Sequence, residues 1–144
     1  MTKRMLPLMA VALLSAGCAT LAAAETPNDR AMAHFNAIAN SEVASIVAPY
    51  ADDAVFQWVG GPLDGTYRSK ADITGVWQKF TKAQGKLKVE VADLRTSANP
   101  AGATVSANVK FVGKATVPVR YVLTYRGDRL VNEVWQIDPK LGQY

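Results

Sequence analysis

The chain has one histidine and one cysteine in 144 residues. The cysteine, Cys18, stands near the amino terminus, so the remaining chain has no disulfide framework and must be stable through its core. A single histidine excludes a histidine-rich metal cluster, and any metal site would rest on carboxylates alone. The adjacent pair Asp52-Asp53 follows a helical pattern and precedes a strand pattern, so it reads as a solvated turn. Gly60-Gly61 is followed by Pro62 and no G-K-[ST], which excludes a phosphate loop. No G-x-S-x-G nucleophile elbow occurs. No metal and no cofactor are expected.

Strong charge is lacking too. The formal net charge of +4 includes Lys3 and Arg4, and without those two it is 4 − 2 = +2. Lys70, Lys79, Lys82, Lys86 and Lys88 cluster in sequence but have no interleaved aromatics. They read as a solvated face, not as a base-stacking platform, and no nucleic-acid partner is expected.

What is present begins with export. Lys3 and Arg4 precede an apolar run from Met5 to Leu21, and Ala22-Ala23-Ala24 follows. A basic start, an apolar middle and an A-x-A ending make a signal peptide over residues 1–24, with a mature domain over 25–144. Pro7, Ser15, Gly17 and Thr20 interrupt the run, so no membrane span is expected after processing. The expected location is periplasmic or secreted. An alternative is a lipid anchor on Cys18, since Leu14-Ser15-Ala16-Gly17-Cys18 resembles a lipoprotein signal.

From about Pro27 to Ala39, Ala31, Phe35, Ile38 and Ala39 recur at helical spacing. Ser41 is a candidate cap for a second helix, whose stripe is Val43, Ile46, Val47 and Tyr50. Ala54 to Val59 reads as a strand, and Thr66 to Arg68 as a very short one. Ser69-Lys70-Ala71-Asp72 is a capping box opening a third helix, with Ile73, Val76, Trp77 and Phe80 on one face and Gly85 at its end. Beyond Gly85 the period changes to two. Strands are predicted at Leu87–Val91, Val105–Phe111, Val117–Arg126 and Leu130–Ile137, with turns at Asn99–Gly102 and Gly127-Asp128. Helices first and long antiparallel strands afterwards spell an α+β fold.

The stretch Tyr50-Ala51-Asp52-Asp53-Ala54-Val55-Phe56 and the closing Gly127-Asp128-Arg129-Leu130-Val131-Asn132-Glu133-Val134-Trp135 resemble the nuclear transport factor 2-like superfamily, which includes SnoaL-like polyketide cyclases and ketosteroid isomerases. The resemblance spans about Asp29 to Asp138. It implies a cone: three N-terminal helices packed on a curved, mainly antiparallel sheet that encloses a pocket. It also implies a homodimer through the outer sheet face, where Val122 and Val134 need cover. Set against ketosteroid isomerases without gaps, His34 falls on the oxyanion-stabilising tyrosine, Trp58 on the carboxylate base and Tyr121 near the second acid. An indole cannot abstract a carbon-bound proton, so steroid isomerisation is not carried over.

Candidate site residues follow from both readings. His34, near the first helix's apolar stripe, is a candidate acid or base. Strict alternation puts Val131, Glu133, Trp135 and Ile137 on one face, where a glutamate needs a partner; His34 or Arg120 can supply it. Trp58, Phe56, Tyr121 and Trp135 are candidate walls for an apolar ligand, and Trp77 is assigned to the core. Three functions compete. The first is a binding module for a small apolar or aromatic molecule. The second is an acid–base isomerase, dehydratase or cyclase using His34 and Glu133. The third is an envelope interaction protein with a collapsed pocket.

Overall fold

A computed structural model describes residues 19–144. The apolar run up to Leu21 lies mostly, and Cys18 entirely, outside the described residues. Among those described, no helix is long and apolar enough to cross a membrane.

Helix α1 (Pro27–Ala39) begins at a reciprocal capping box: the Thr26 side chain accepts from the Asp29 amide while the Asp29 carboxylate accepts from the Thr26 amide. Its inward stripe carries Ala31, His34, Phe35 and Ile38. Helix α2 (Val43–Val47) is shorter than its apolar stripe suggests. Ala48 still has helical geometry, but Pro49 has no N–H with which to continue the helix, and Tyr50 opens a strand instead of closing it. Ser41 does not cap α2. It sits at φ 61° and donates its hydroxyl to the carbonyl of Gly85 (2.7 Å), the C-cap of the helix over Lys70–Gln84, tying the end of α1 to the end of that helix.

Strand β1 (Tyr50–Val59) is longer than predicted, because Asp52 and Asp53 belong to it. Its register with the last strand shifts between Tyr50 and Val55, so the chain bulges where the two carboxylates point to water. Tyr50, Ala54, Phe56 and Trp58 face inward by simple alternation, and the bulge turns Asp52, which alternation would put inside, out to water. Strand β2 (Gly65–Tyr67) pairs antiparallel with β1. Helix α3 (Lys70–Gln84) starts at Ser69, whose side chain accepts from the Asp72 amide, and ends at Gly85. Its buried residues are Ile73, Val76, Trp77 and Phe80. The third helix thus follows two strands rather than the second helix directly.

Four long strands complete the chain: β3 (Lys88–Asn99), β4 (Gly102–Val112), β5 (Thr116–Arg126) and β6 (Arg129–Ile137). The six-stranded order is β2-β1-β6-β5-β4-β3. Among the described residues, only β1 and β6 pair in parallel. Gly127, at φ 58°, supplies the positive φ at the first position of the two-residue β5–β6 turn. A second bulge follows: Tyr125 pairs with Leu130 and Thr124 with Asn132, so Val131 is the extra residue. Leu130 therefore enters the core in its place, and Val131 is only half-buried. Beyond the bulge the alternation holds, with Glu133 and Trp135 inward and Val134 outward.

Register builds the interior. Trp58, Trp135, Tyr121 and Ala107 form one row across four strands; Phe56, Glu133, Leu123 and Val105 form the next. The helices pack on this face, and α1 lays His34 over the second row.

Candidate ligand-binding site

Glu133 is fully buried. Its Oε1 accepts from His34 Nε2 (2.9 Å) and from the Tyr121 hydroxyl; its Oε2 accepts from the Tyr50 hydroxyl. Trp77 Nε1 donates to the Tyr50 oxygen at 2.9 Å. Three donors on one buried carboxylate match what such a group requires. The His34 ring also meets the rings of Tyr50, Trp77 and Tyr121 edge-on at 5.9–6.2 Å. Its Nδ1 has no partner among the described residues.

Burial, and then the charge of Glu133, push the Tyr50 and Tyr121 phenols well above their ordinary range. Tyr125 is pushed up for the same two reasons, with Arg30 opposing. A phenol that stays neutral when folded but ionises when unfolded stabilises the fold below the unfolded value, near pH 10. That contribution is lost as pH rises toward the folded values. In an ultraviolet titration, Tyr50, Tyr121 and Tyr125 should stay protonated well past pH ~10 and ionise together with loss of tertiary structure. Reversible titration of all five tyrosines near pH ~10 would show the cluster to be open to solvent.

Beside this polar cluster lies an aromatic stack. Trp58 and Trp135 are stacked at 4.5 Å between centroids, Phe111 lies on Trp135 at 5.1 Å, and Phe56 stacks on Trp77 at 5.2 Å. Phe80 closes on both Trp58 and Trp135. These rings occupy the middle of the cone. On its outer side Trp58 forms a wall of an apolar groove of about 240 Å³, together with Pro62, Leu63, Phe80, Val117 and Ile137. His34 instead belongs to the wall of a different cleft, about 700 Å³ in volume, between α1, α2 and the β5–β6 turn. Two indole N–H groups, those of Trp58 and Trp135, are buried without a partner among the described residues.

The six residues singled out from the sequence thus fall into two groups. His34, Glu133 and Tyr121 share hydrogen bonds; Phe56, Trp58 and Trp135 share ring contacts; Tyr121 touches Trp135 edge-on at 5.5 Å and links the two. His34 and Trp58 line separate openings. Arg120, the other partner considered for Glu133, reaches the Ala107 carbonyl instead. Sequence reasoning missed Tyr50 and the polar role of Trp77. Both sit on apolar stripes, and the available signal was chemical: a buried phenol or indole usually has a hydrogen-bond partner. Among the described residues no three His, Cys, Asp or Glu side chains gather as a metal set.

Residues 31–133 match the SnoaL-like domain family. No curated protein matches the chain. Similar solved structures share the fold. An NTF2-like protein of unknown function from Pseudomonas putida KT2440 is 21% identical, with a TM-score of 0.66 over 76% of this chain and 82% of that one. A ketosteroid isomerase-like protein from Catenulispora acidiphila DSM 44928, solved with trimethylamine, is 17% identical, with a TM-score of 0.59 over 81% and 90%. An LEH-like epoxide hydrolase from M. tuberculosis is 17% identical, with a TM-score of 0.56 over 76% and 80%. With the family's match covering most of the α+β cone, this chain belongs to the SnoaL-like domain family.

Proposed function

We propose that this domain is an exported binding module that takes a small apolar or aromatic molecule at the Trp58 groove. The observation that carries the reading is the groove itself: Trp58, Pro62, Leu63, Phe80, Val117 and Ile137 make a concave, almost wholly apolar surface at the edge of the aromatic stack. An apolar concavity with a few polar groups nearby is the usual form of a small-ligand site. Phe56 and Trp135 are fully buried and support Trp58 from behind, with Tyr121 against Trp135; the ligand does not touch them first.

The same geometry weighs against the acid–base alternative, even though an epoxide hydrolase shares the fold. His34 and Glu133 are both almost fully buried, and the carboxylate already receives three donors. A catalytic base must come within hydrogen-bond reach of the proton it removes. In this reading His34 and Glu133 hold the fold together under the site. Export with cleavage before Glu25, and a homodimer through the outer face bearing Val122 and Val134, complete the proposal. An intact Met1 in the protein from its native host, or a monomer at micromolar concentration by sedimentation, would contradict those two parts.

Ala83 lines the groove from α3 and is exposed, so Ala83→Phe fills the groove without disturbing the core. Calorimetric titration with naphthalene should give saturable binding to the wild-type protein and at least about tenfold weaker binding to Ala83→Phe. Equal affinity in the two proteins would place the ligand elsewhere.

A further inference from the structure

Two walls of the Trp58 groove, Pro62 and Leu63, are the central residues of a tight turn. The Asp64 amide donates to the Gly61 carbonyl at 3.2 Å and closes it, and Pro62 fixes φ at its second position. A surface loop that opens on two glycines, as this one does at Gly60-Gly61, is ordinarily mobile. Here it is held along its length. The Asp64 carboxylate accepts from the Gly60 amide at 2.6 Å. Gly61 lies so close to the end of β6 that a methyl group on it would stand 2.9 Å from Ile137 Cδ1. The Tyr67 hydroxyl donates to the Leu63 carbonyl at 2.7 Å.

Tyr67 does not itself line the groove. It lies on β2 opposite Phe56 of β1, with the two rings 6.0 Å apart between centroids. The phenol is therefore anchored against the core, and its hydroxyl fixes the backbone of a residue that forms a groove wall. The groove is also small: it holds about 240 Å³, below the roughly 300–1,000 Å³ of an ordinary small-molecule pocket. In so small a site, the position of one wall decides what fits.

We infer that Tyr67, acting through Leu63, sets the size limit of the groove, which admits a two-ring hydrocarbon and gives no room to one widened by a short alkyl branch. This rests on the groove reading above and adds how large an occupant the site takes. A free turn would yield to a wider ligand at little cost. The tied turn can yield only by breaking the Tyr67–Leu63 bond, and a part-buried carbonyl that loses its donor costs free energy. Tyr67 is thus a positioning residue, and its loss should change which ligand is preferred more than how tightly the smaller one binds.

Naphthalene and 1-ethylnaphthalene test this by calorimetry. The added ethyl group should strengthen binding about tenfold wherever apolar room exists for it. To the wild-type protein, 1-ethylnaphthalene should instead bind no more tightly than naphthalene. Tyr67→Phe keeps the ring beside Phe56 and loses the bond to Leu63. In that variant 1-ethylnaphthalene should gain about tenfold over wild type, with naphthalene within about twofold. Thr66→Val, on the same strand, removes the bond to the Gln57 side chain but leaves the turn tied, so the wild-type ratio of affinities should persist. A tenfold preference for 1-ethylnaphthalene in the wild-type protein would overturn the inference and leave the groove reading standing. So would a wild-type ratio in Tyr67→Phe, or a ratio in Thr66→Val altered as much as in Tyr67→Phe. Failure of both probes to bind the wild-type protein would remove the groove reading and the inference together.

Discussion

Glu133→Ala is expected to destabilise the domain by about 3–5 kcal/mol, a large share of the 5–15 kcal/mol that typically separates folded from unfolded chains. The substitution leaves His34 Nε2 and the hydroxyls of Tyr50 and Tyr121 facing a void instead of a carboxylate. Each orphaned buried donor costs about 1–3 kcal/mol, and the three do not add fully because the void lets them relax. Glu133→Gln keeps the volume and one acceptor oxygen, but its amide N–H groups meet donors, so a smaller loss of about 2 kcal/mol is expected. Trp77→Phe removes the outermost bond, from Trp77 Nε1 to Tyr50, and leaves a small gap among Phe56, Trp58 and Trp135, and should still cost less than Glu133→Ala. Urea denaturation with unchanged slope reads all three. A Glu133→Ala protein within about 1 kcal/mol of wild type would mean that the cluster does not hold the fold.

Trp135→Ala should be of similar size, about 3–5 kcal/mol, for a different reason. Trp135 is fully buried and sits where Trp58, Phe111, Phe80, Trp77 and Tyr121 converge. Its removal opens a cavity among rings held from several elements, so collapse is limited and the loss lies toward the upper end for core truncations. Trp135→Phe should recover much of that loss. A thermal midpoint for Trp135→Ala within a few degrees of wild type would contradict the packing account, because a loss of this size shifts a domain of this length by more than about 10 °C.

Most of the architecture was legible because the periods are clean. The stripe of Ala31, Phe35 and Ile38, Ser69 with Gly85 and the alternation of Val105, Ala107, Val109 and Phe111 announce their elements locally. The departures sit where a distant strand decides. Asp52 and Asp53 carry the composition of a turn, yet pairing with β6 draws them into a bulged strand. Val131 obeys the alternation, yet the β5 register pushes it out and brings Leu130 in.

The site was legible in its chemistry and not in its partition. A glutamate on an inward strand face needs partners, and His34 was a natural candidate; the two lie 99 positions apart in the chain and 2.9 Å apart in space. Tyr50 was hidden because it completes a helical stripe with Val43, Ile46 and Val47, and only the start of β1 turns its phenol toward Glu133. That Trp58 opens on one groove and His34 on another depends on how the rings of Phe80, Trp77 and Trp135 fill the space between, which no local pattern encodes.

The ligand is expected in the Trp58 groove and not at the His34–Glu133 cluster. The chain has three tryptophans, and each indole N–H gives its own nitrogen–proton NMR signal, assignable with single Trp→Phe variants. Titration with naphthalene should move the Trp58 signal saturably, with Trp135 following, while Trp77, bonded to Tyr50, stays in place. Movement of the Trp77 signal or of the His34 ring with Trp58 unchanged would contradict the claim.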